Sequence, residues 1–282
     1  MRVFLSGIEA SSEAKAVAAH MIGGGGGNMR IFLSAVEQGA QKDGIKHIMN
    51  AKGPPMKWNL MSYYYARADF EHVLRVRDNS ELVMIDSGAH SFQKGKKVKW
   101  VEYTREYAKF IKLFDRPNVV GYFEMDVDNI IGYEKVLALR RILHEESGHA
   151  DKIIPVWHKN RGIAEYKAMC EKHAGRTVAI TGFKNEDIRD HQYPLFLKEA
   201  KKHGCKVHCL GMTRKKVLDR VPFDYTDSSS WVQSAVYGKV GDRKVSREFS
   251  KTNRTDVFIA SYLEAMKMQD HYYRRWRKVC DD

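Results

Sequence analysis

The chain has 282 residues, 43% of them hydrophobic, enough for one large α/β domain with a sizeable core. No run of about twenty apolar residues would span a membrane, and the start, MRVFLSGIEASSEAK, lacks the basic, apolar and cleavage segments of a secretory leader, so a soluble cytoplasmic protein is expected. The formal net charge of +13 favours nucleic acid as the partner, ahead of an acidic protein or an anionic membrane surface.

Met1–Glu9 (MRVFLSGIE) nearly duplicates Met29–Glu37 (MRIFLSAVE), with Gly23–Gly27 as a flexible linker between the copies. Residues 1–28 therefore read as an N-terminal extension and 29–282 as a single domain. Short apolar runs predict strands at Arg30–Ala35, Asn59–Tyr64, Glu81–Asp86, Val119–Asp126, Lys152–Trp157, Thr177–Thr181, Lys206–Leu210 and Phe223–Asp227. Between them, helical character is read at Trp100–Phe114, Tyr133–Glu146, Arg161–His173, Tyr193–His203 and Thr213–Arg220, and a long helix at Thr255–Lys278. Ile163, Tyr166, Met169 and Cys170, for example, have the spacing of one buried helical face. Eight strands joined by helical crossovers predict a (β/α)8 TIM barrel with a C-terminal helix and the N-terminal extension. A doubly wound open sheet is the alternative.

The four cysteines, Cys170, Cys205, Cys209 and Cys280, are too scattered for a disulfide framework or a complete metal set, and read as buried reduced thiols. Lysine and arginine cluster at Lys94–Lys99, Arg214–Lys216 and Arg274–Lys278. Lys94, Lys96, Lys97, Arg214, Lys215, Lys216, Arg274 and Arg275 are the expected nucleic-acid contacts.

The ends of the predicted strands carry the chemistry. ELVMIDSGAHSFQ (Glu81–Gln93) is an apolar run that stops at Asp86-Ser87-Gly88. Asp126 and Asp128 close the fourth strand (FEMDVDN), and Asp224 and Asp227 the eighth (FDYTDSSSW). In a barrel all strands run the same way, so carboxylates at their carboxyl ends share the face on which active sites form, where like charges raise one another's pKa and divide acid, base and nucleophile roles. Asp86 taken alone also fits a helix cap, any one of these aspartates also fits a purely structural role, and MDVD also fits a Mg²⁺ site.

These residues resemble the motifs of the tRNA-guanine transglycosylase superfamily, and most closely its DpdA-type branch, the phage and bacterial DNA-guanine transglycosylases. The family's DSGGFQ motif is similar to Asp86-Ser87-Gly88 followed, after Ala89-His90-Ser91, by Phe92-Gln93. Asp126 resembles its fourth-strand carboxylate, Thr181-Gly182-Phe183 and Leu210-Gly211-Met212 its glycine-bearing sixth and seventh strand ends, and Asp227 in TDSSSW its eighth-strand nucleophile. The likeness covers roughly Arg30 to Trp231. The chain departs from the pattern in the longer first motif, in Trp157-His158 where the tRNA enzymes carry Gln-Gly, and in lacking the family's zinc-binding cysteine cluster.

The resemblance implies base exchange without ATP, metal or cofactor. Asp227 would attack C1′ of a guanosine in DNA and expel guanine, and a 7-deazaguanine such as preQ0 or a derivative would then displace the enzyme with retention. Asp86 would be the general acid–base. Ser87, Gly88, Asp126, Asp128, His158, Gly182 and Gly211 would hold the substrate, with Tyr63–Tyr65, Phe123 and Trp231 as stacking surfaces for an extruded base or, equally, as core. A tRNA-directed enzyme and a barrel that binds nucleic acid without catalysis are the alternatives, with a metal-dependent barrel hydrolase behind them.

Overall fold

Pro155 marks the place where the two ends of the sheet order meet along the chain. In the computed structural model, residues 28–51, 53, 55–92, 98–182 and 188–280 are described. The strands are β1 (Arg30–Ser34), β2 (Met56–Ser62), β3 (Ser80–Asp86), β4 (Val119–Phe123), β5 (Ile153–Ile154), β6 (Val156–Trp157), β7 (Thr177–Thr181), β8 (Lys206–Leu210) and β9 (Tyr225–Ser228). Their order in the sheet is β5-β4-β3-β2-β1-β9-β8-β7-β6. β5 and β6 stand at opposite ends of that order, yet only Pro155, which has no N–H to give to a ladder, separates them in sequence. They are two halves of one fifth strand, which reduces the count to the eight of a (β/α)8 barrel. Every pairing from β1 to β5 is parallel, as are β7 with β8 and β8 with β9.

The intervening helices are α1 (Gln41–Asn50), α2 (Phe70–Asp78), α3 (Trp100–Phe114), α4 (Tyr133–Glu146), α5 (Gly162–Lys172) and α6 (Tyr193–Lys202), followed after β9 by α7 (Ser230–Val236), α8 (Arg247–Thr252) and α9 (Arg254–Cys280). A small hairpin, β10 (Lys239–Val240) with β11 (Arg243–Lys244), lies between α7 and α8. The predicted α/β barrel with a long C-terminal helix is thus the observed fold. No helix among the described residues is long and apolar enough to cross a membrane.

The described residues divide into two compact units, one drawn from 28–31, 157–227 and 268–280, the other from 32–156 and 228–267. In the second unit the parallel strands are buried on both faces, as Val83, Met84 and Ile85 of β3 show with no exposed surface. α3 packs there through Tyr103, Tyr107, Phe110, Ile111 and Phe114, a stripe at helical spacing. The start of α9 is fastened to the same core by the Tyr262 hydroxyl, which donates to Asn59 Oδ1 at 2.8 Å. In the first unit, Ile180, Val207 and Cys209 of the strands pack with Tyr166, Tyr193 and Leu197 of the helices. The end of α9 joins that core through Trp276, whose indole N–H donates to Leu218 O at 3.0 Å. Gln269 Nε2 likewise donates to Ile31 O at 2.7 Å.

Several predicted boundaries move. β2 begins at Met56 and stops at Ser62, and Tyr63–Ala66 forms a helical turn instead of extending the strand. β4 ends at Phe123, which leaves Asp126 in a loop and Asp128 as the first residue of a helical turn, Asp128–Ile131. Asp224 precedes β9 instead of ending it. Lys201 Nζ lies 2.8 Å from both of its carboxylate oxygens and the Val207 amide donates to Oδ2 at 2.8 Å, so Asp224 is a structural anchor at the amino end of the strand. The duplicated segment at Met1–Glu9 lies outside the described residues.

Candidate functional site

Within the second unit, the ends of β1, β2 and β3 build one polar cluster. Asp86 is the last residue of β3 and is half-buried. The Gly88 amide donates to its Oδ2 at 2.9 Å, closing a tight turn on the carboxylate. Gly88 has φ +73°, and a Cβ built there would lie 2.4 Å from Tyr64 Cβ and 2.7 Å from the Tyr64 amide nitrogen. Only glycine meets both the backbone conformation and the space. α3 holds the turn from behind. The Tyr103 hydroxyl donates to Ser87 O at 2.8 Å, and the Tyr107 hydroxyl lies 3.2 Å from both Ile85 O and Phe123 O, tying the carboxyl ends of β3 and β4 together. Burial, with the Asp86 charge as a contributor, pushes both phenols well above their ordinary pKa, so they remain neutral donors.

Glu37, three residues past the end of β1, is a site residue that sequence reasoning passed over. It is 4% exposed, and its Oε1 accepts from the Ser62 amide at 3.1 Å. Burial pushes its pKa up to about 7, against the Ser62 amide, and the Asp86 charge adds to the rise. The signal was present in MRIFLSAVE, an apolar run followed by a carboxylate, the same pattern that drew attention to Asp86. Ser87 is fully buried.

Two other acidic groups follow β4. Asp126 and Asp128 bring carboxylate oxygens within 4.8 Å of each other, a partial set of hard oxygen ligands for a divalent cation. Glu124, by contrast, is spent on structure. It is 1% exposed, it pairs through two oxygens with Arg140 (5% exposed), and its Oε1 also accepts from the Val156 amide at 2.7 Å. Burial pulls the Arg140 pKa down, and the Glu124 carboxylate more than reverses the effect.

In the first unit the site residues gather at the ends of β7, β8 and β9. Asp227 lies in β9, and its Oδ1 accepts from the Gly211 amide at 2.8 Å and meets His208 Nε2 at 3.0 Å. Gly211 has φ +63°, the left-handed conformation that turns its N–H onto the carboxylate. His208, wholly buried inside β8, is a second residue the sequence reading missed; its mark was a polar side chain in the middle of KVHCL. Gly182 follows β7 and donates to Leu210 O at 2.8 Å. A Cβ there would meet Cys209 Sγ at 2.6 Å and Leu210 O at 2.9 Å, so the sixth and seventh barrel strands approach more closely than any other residue would allow. Burial, followed by the Asp227 charge, drives the Cys209 thiol far above its ordinary pKa and keeps it protonated. His158 follows β6 and precedes a single helical turn, Lys159–Arg161.

The basic residues expected on nucleic acid divide sharply. Lys94, Lys96 and Lys97 lie outside the described residues. Arg214 is internally engaged, with Nε 3.1 Å from Asp190 Oδ1, Nη1 3.0 Å from Gly182 O and Nη2 3.3 Å from the Tyr193 hydroxyl. Lys216 lies 2.6 Å from Asp190 and holds that carboxyl, together with Arg214, below the usual carboxylate range. Lys215 lies 2.6 Å from Asp219, the residue whose carbonyl accepts from Arg275 at 2.9 Å. The second and third basic clusters therefore flank one residue, with Arg274 exposed beside them. Of the aromatics considered for stacking, Tyr63, Phe123 and Trp231 are buried core side chains, whereas Tyr64 is half-buried and Tyr65 exposed.

No family model matches the chain, and no curated protein matches it. Among solved structures it is similar to a protein from Coccidioides immitis assigned as a fructose-1,6-biphosphate aldolase, with a TM-score of 0.52 over 93% of this chain and 94% of that one. At 13% identity the likeness is one of fold: both chains are barrels of the same architecture.

Proposed function

We propose that the protein is a DNA-guanine transglycosylase, exchanging guanine for a 7-deazaguanine. The observation that carries the reading is the support of Asp227, a carboxylate at the carboxyl end of a barrel strand with one oxygen fixed by the Gly211 amide and His208. Such fixing is what an attacking carboxylate needs, because orientation toward the sugar carbon removes much of the entropic cost of attack. A carboxylate oxygen of Asp227 forms a bond to C1′ as the bond from C1′ to guanine N9 breaks, with the proton for the departing base coming from Asp86. The incoming base then returns its proton to Asp86 and takes C1′ back from Asp227, with net retention. Ser87, Gly88, Asp126, Asp128, His158, Gly182 and Gly211 are assigned to the purine and its sugar.

The test is incubation of the protein with DNA and a labelled 7-deazaguanine. Label should enter DNA with the wild-type chain and not with Asp227→Ala, and an unaffected variant would remove the nucleophile. The basic side chains around Asp219 support nucleic acid as the carrier in either reading, so offering tRNA in competition decides between the two polymers. Salt-sensitive binding without guanine release or a covalent adduct would instead mark a binding barrel.

A further inference from the structure

α5 and α6 lie side by side in the first unit and leave a groove of about 560 Å³ between them. Their contact is locked beneath it. The Tyr166 ring of α5 meets the Phe196 ring of α6 at 4.8 Å between centroids, and the Tyr166 hydroxyl donates to Phe196 O at 2.9 Å. Trp157 completes the floor, with its indole N–H given to Gly162 O at 2.9 Å, so the ring offers the groove no polar atom in need of a partner. Ile163 in the first turn of α5 and Leu195 in the first turn of α6 line the groove, yet they are 52% and 65% exposed. Lysines follow them at helical spacing: Lys167 after Ile163, and Lys198 and Lys202 after Leu195. The groove is therefore apolar at the amino ends of both helices and cationic toward their carboxyl ends. Among the described residues its lining holds four lysines, Lys159 being the fourth, against a single carboxylate, Glu199. Glu199 is taken by Lys202 at 2.6 Å, and Lys202 and then Lys167 hold its pKa below the usual carboxylate range.

We propose that this groove docks an acidic amphipathic helix of a partner protein, apolar at one end and carboxylate-bearing at the other. Charge selects the sign of the partner, because one carboxylate does not balance four ammonium groups and the excess stands beside exposed aliphatic surface. Shape selects a helix. Two packed helices leave between them a trough that takes the side-chain ridges of a third at an axial distance of about 8–10 Å, and helix-in-groove recognition works through anchors at i, i+3 and i+4. The apolar lining excludes the two other anionic partners. A nucleic acid gains little from Ile163 and Leu195, which have no ring face for a base to stack on. A membrane surface needs apolar side chains that project outward, and these line a concavity. In the docked complex Ile163, Leu195 and the floor rings take the partner's apolar side chains, and Lys167 and Lys198 take its carboxylates.

The groove uses none of the residues assigned to base exchange, so the proposal stands or falls apart from that reading. The experiment is fluorescence anisotropy of a labelled synthetic helical peptide titrated with the full chain. The peptide carries leucines at i, i+3 and i+4 and glutamates over the turns that follow. It should bind at least about tenfold more tightly than the same peptide with glutamine for glutamate, and the advantage should shrink as salt is raised. Leu195→Glu should lower the affinity at least about tenfold, because it sets a charge where the partner's apolar anchor belongs. Leu195 is exposed, so the circular dichroism and thermal unfolding of that variant should match the wild type. Lys167→Glu combined with Lys198→Glu should lose the acidic peptide and take up its counterpart with lysine for glutamate, a gain that misfolding does not produce. Equal binding of the glutamate and glutamine peptides, binding of neither, or wild-type affinity retained in both variants overturns the proposal. So does a DNA oligonucleotide or a phosphatidylglycerol vesicle whose binding is lost with Leu195→Glu while the acidic peptide stays unbound, since the groove would then serve another class of partner.

Discussion

The ends of β3 and β9 carry the same residue type in opposite settings. Asp86 has a backbone amide on one oxygen and the sealed Glu37 carboxyl nearby, whose pKa burial, and to a lesser degree the Asp86 charge, pushes up. Asp227 has two donors on one oxygen, an amide and an imidazole nitrogen, an arrangement that fixes direction. In the proposed reading, one local motif, a carboxylate where a buried strand stops, serves as an acid–base group or as an oriented nucleophile according to what packs behind it. The sharpest way to break this contrast is Asp227→Asn. It should lower base exchange by at least about a thousandfold while leaving the melting temperature nearly unchanged, because the group is asked for chemistry rather than stability. Loss of stability without loss of exchange would reverse the assignment.

Glu124 and Glu37 make the same comparison inside one unit. Both are buried, but Glu124 has a guanidinium and an amide as partners, whereas Glu37 has an amide and a neighbouring aspartate. Glu124→Ala should therefore strand the Arg140 charge and cost roughly 3–5 kcal/mol in urea unfolding. Glu37→Gln should behave differently with pH. An unfolded glutamate titrates near 4.5 and the folded Glu37 near about 7. Between those values the folded chain holds more protons, so the advantage of a neutral Glu37 is complete below pH 4.5 and is lost as the pH rises to 7. At about 1.4 kcal/mol per unit, that loss is at most on the order of 3 kcal/mol. Unfolding at pH 5 and pH 8 should show the wild type losing stability where Glu37→Gln loses less, and equal losses would place the raised pKa elsewhere.

What was legible in the sequence follows what depends on local patterning. Trp100–Phe114 and Tyr133–Glu146 are helices over the residues that periodicity selects, since amphipathic spacing is a property of the segment itself. The strand count was legible for the same reason. Tyr63 and Tyr64 were misread as strand because aromatic residues favour extended structure, yet packing of Tyr63 against Tyr103 and Tyr107 draws the segment into a helical turn. Asp224 looked like a strand-end carboxylate until Lys201 claimed it, a contact 23 residues away that no local pattern records. Glu37 and His208 were missed because their importance lies in burial and in the neighbour each meets, and both are set by tertiary structure. The glycines were the reverse case. Gly88, Gly182 and Gly211 were singled out by motif, and the structure supplies a steric or conformational reason for each.

The smallest effect concerns the basic residues, where Arg214 and Arg274 part company. Arg214 is fixed by Asp190, Gly182 O and the Tyr193 hydroxyl, so removing its guanidinium leaves buried acceptors unpaired and loosens the end of β7. Arg274 is exposed on α9, and truncating it leaves the core as it was. If Arg274 contacts a phosphate, Arg274→Ala should weaken binding to all DNA sequences alike and reduce the slope of log affinity against log salt by about one, with no change in unfolding. Arg214→Ala should instead lower stability by about 1–3 kcal/mol. Titrating DNA against both variants at several salt concentrations separates the two roles. A salt slope that falls with Arg214→Ala and not with Arg274→Ala would move the nucleic-acid face from the exposed helix to the ends of the strands, where Arg214 already stands beside Gly182.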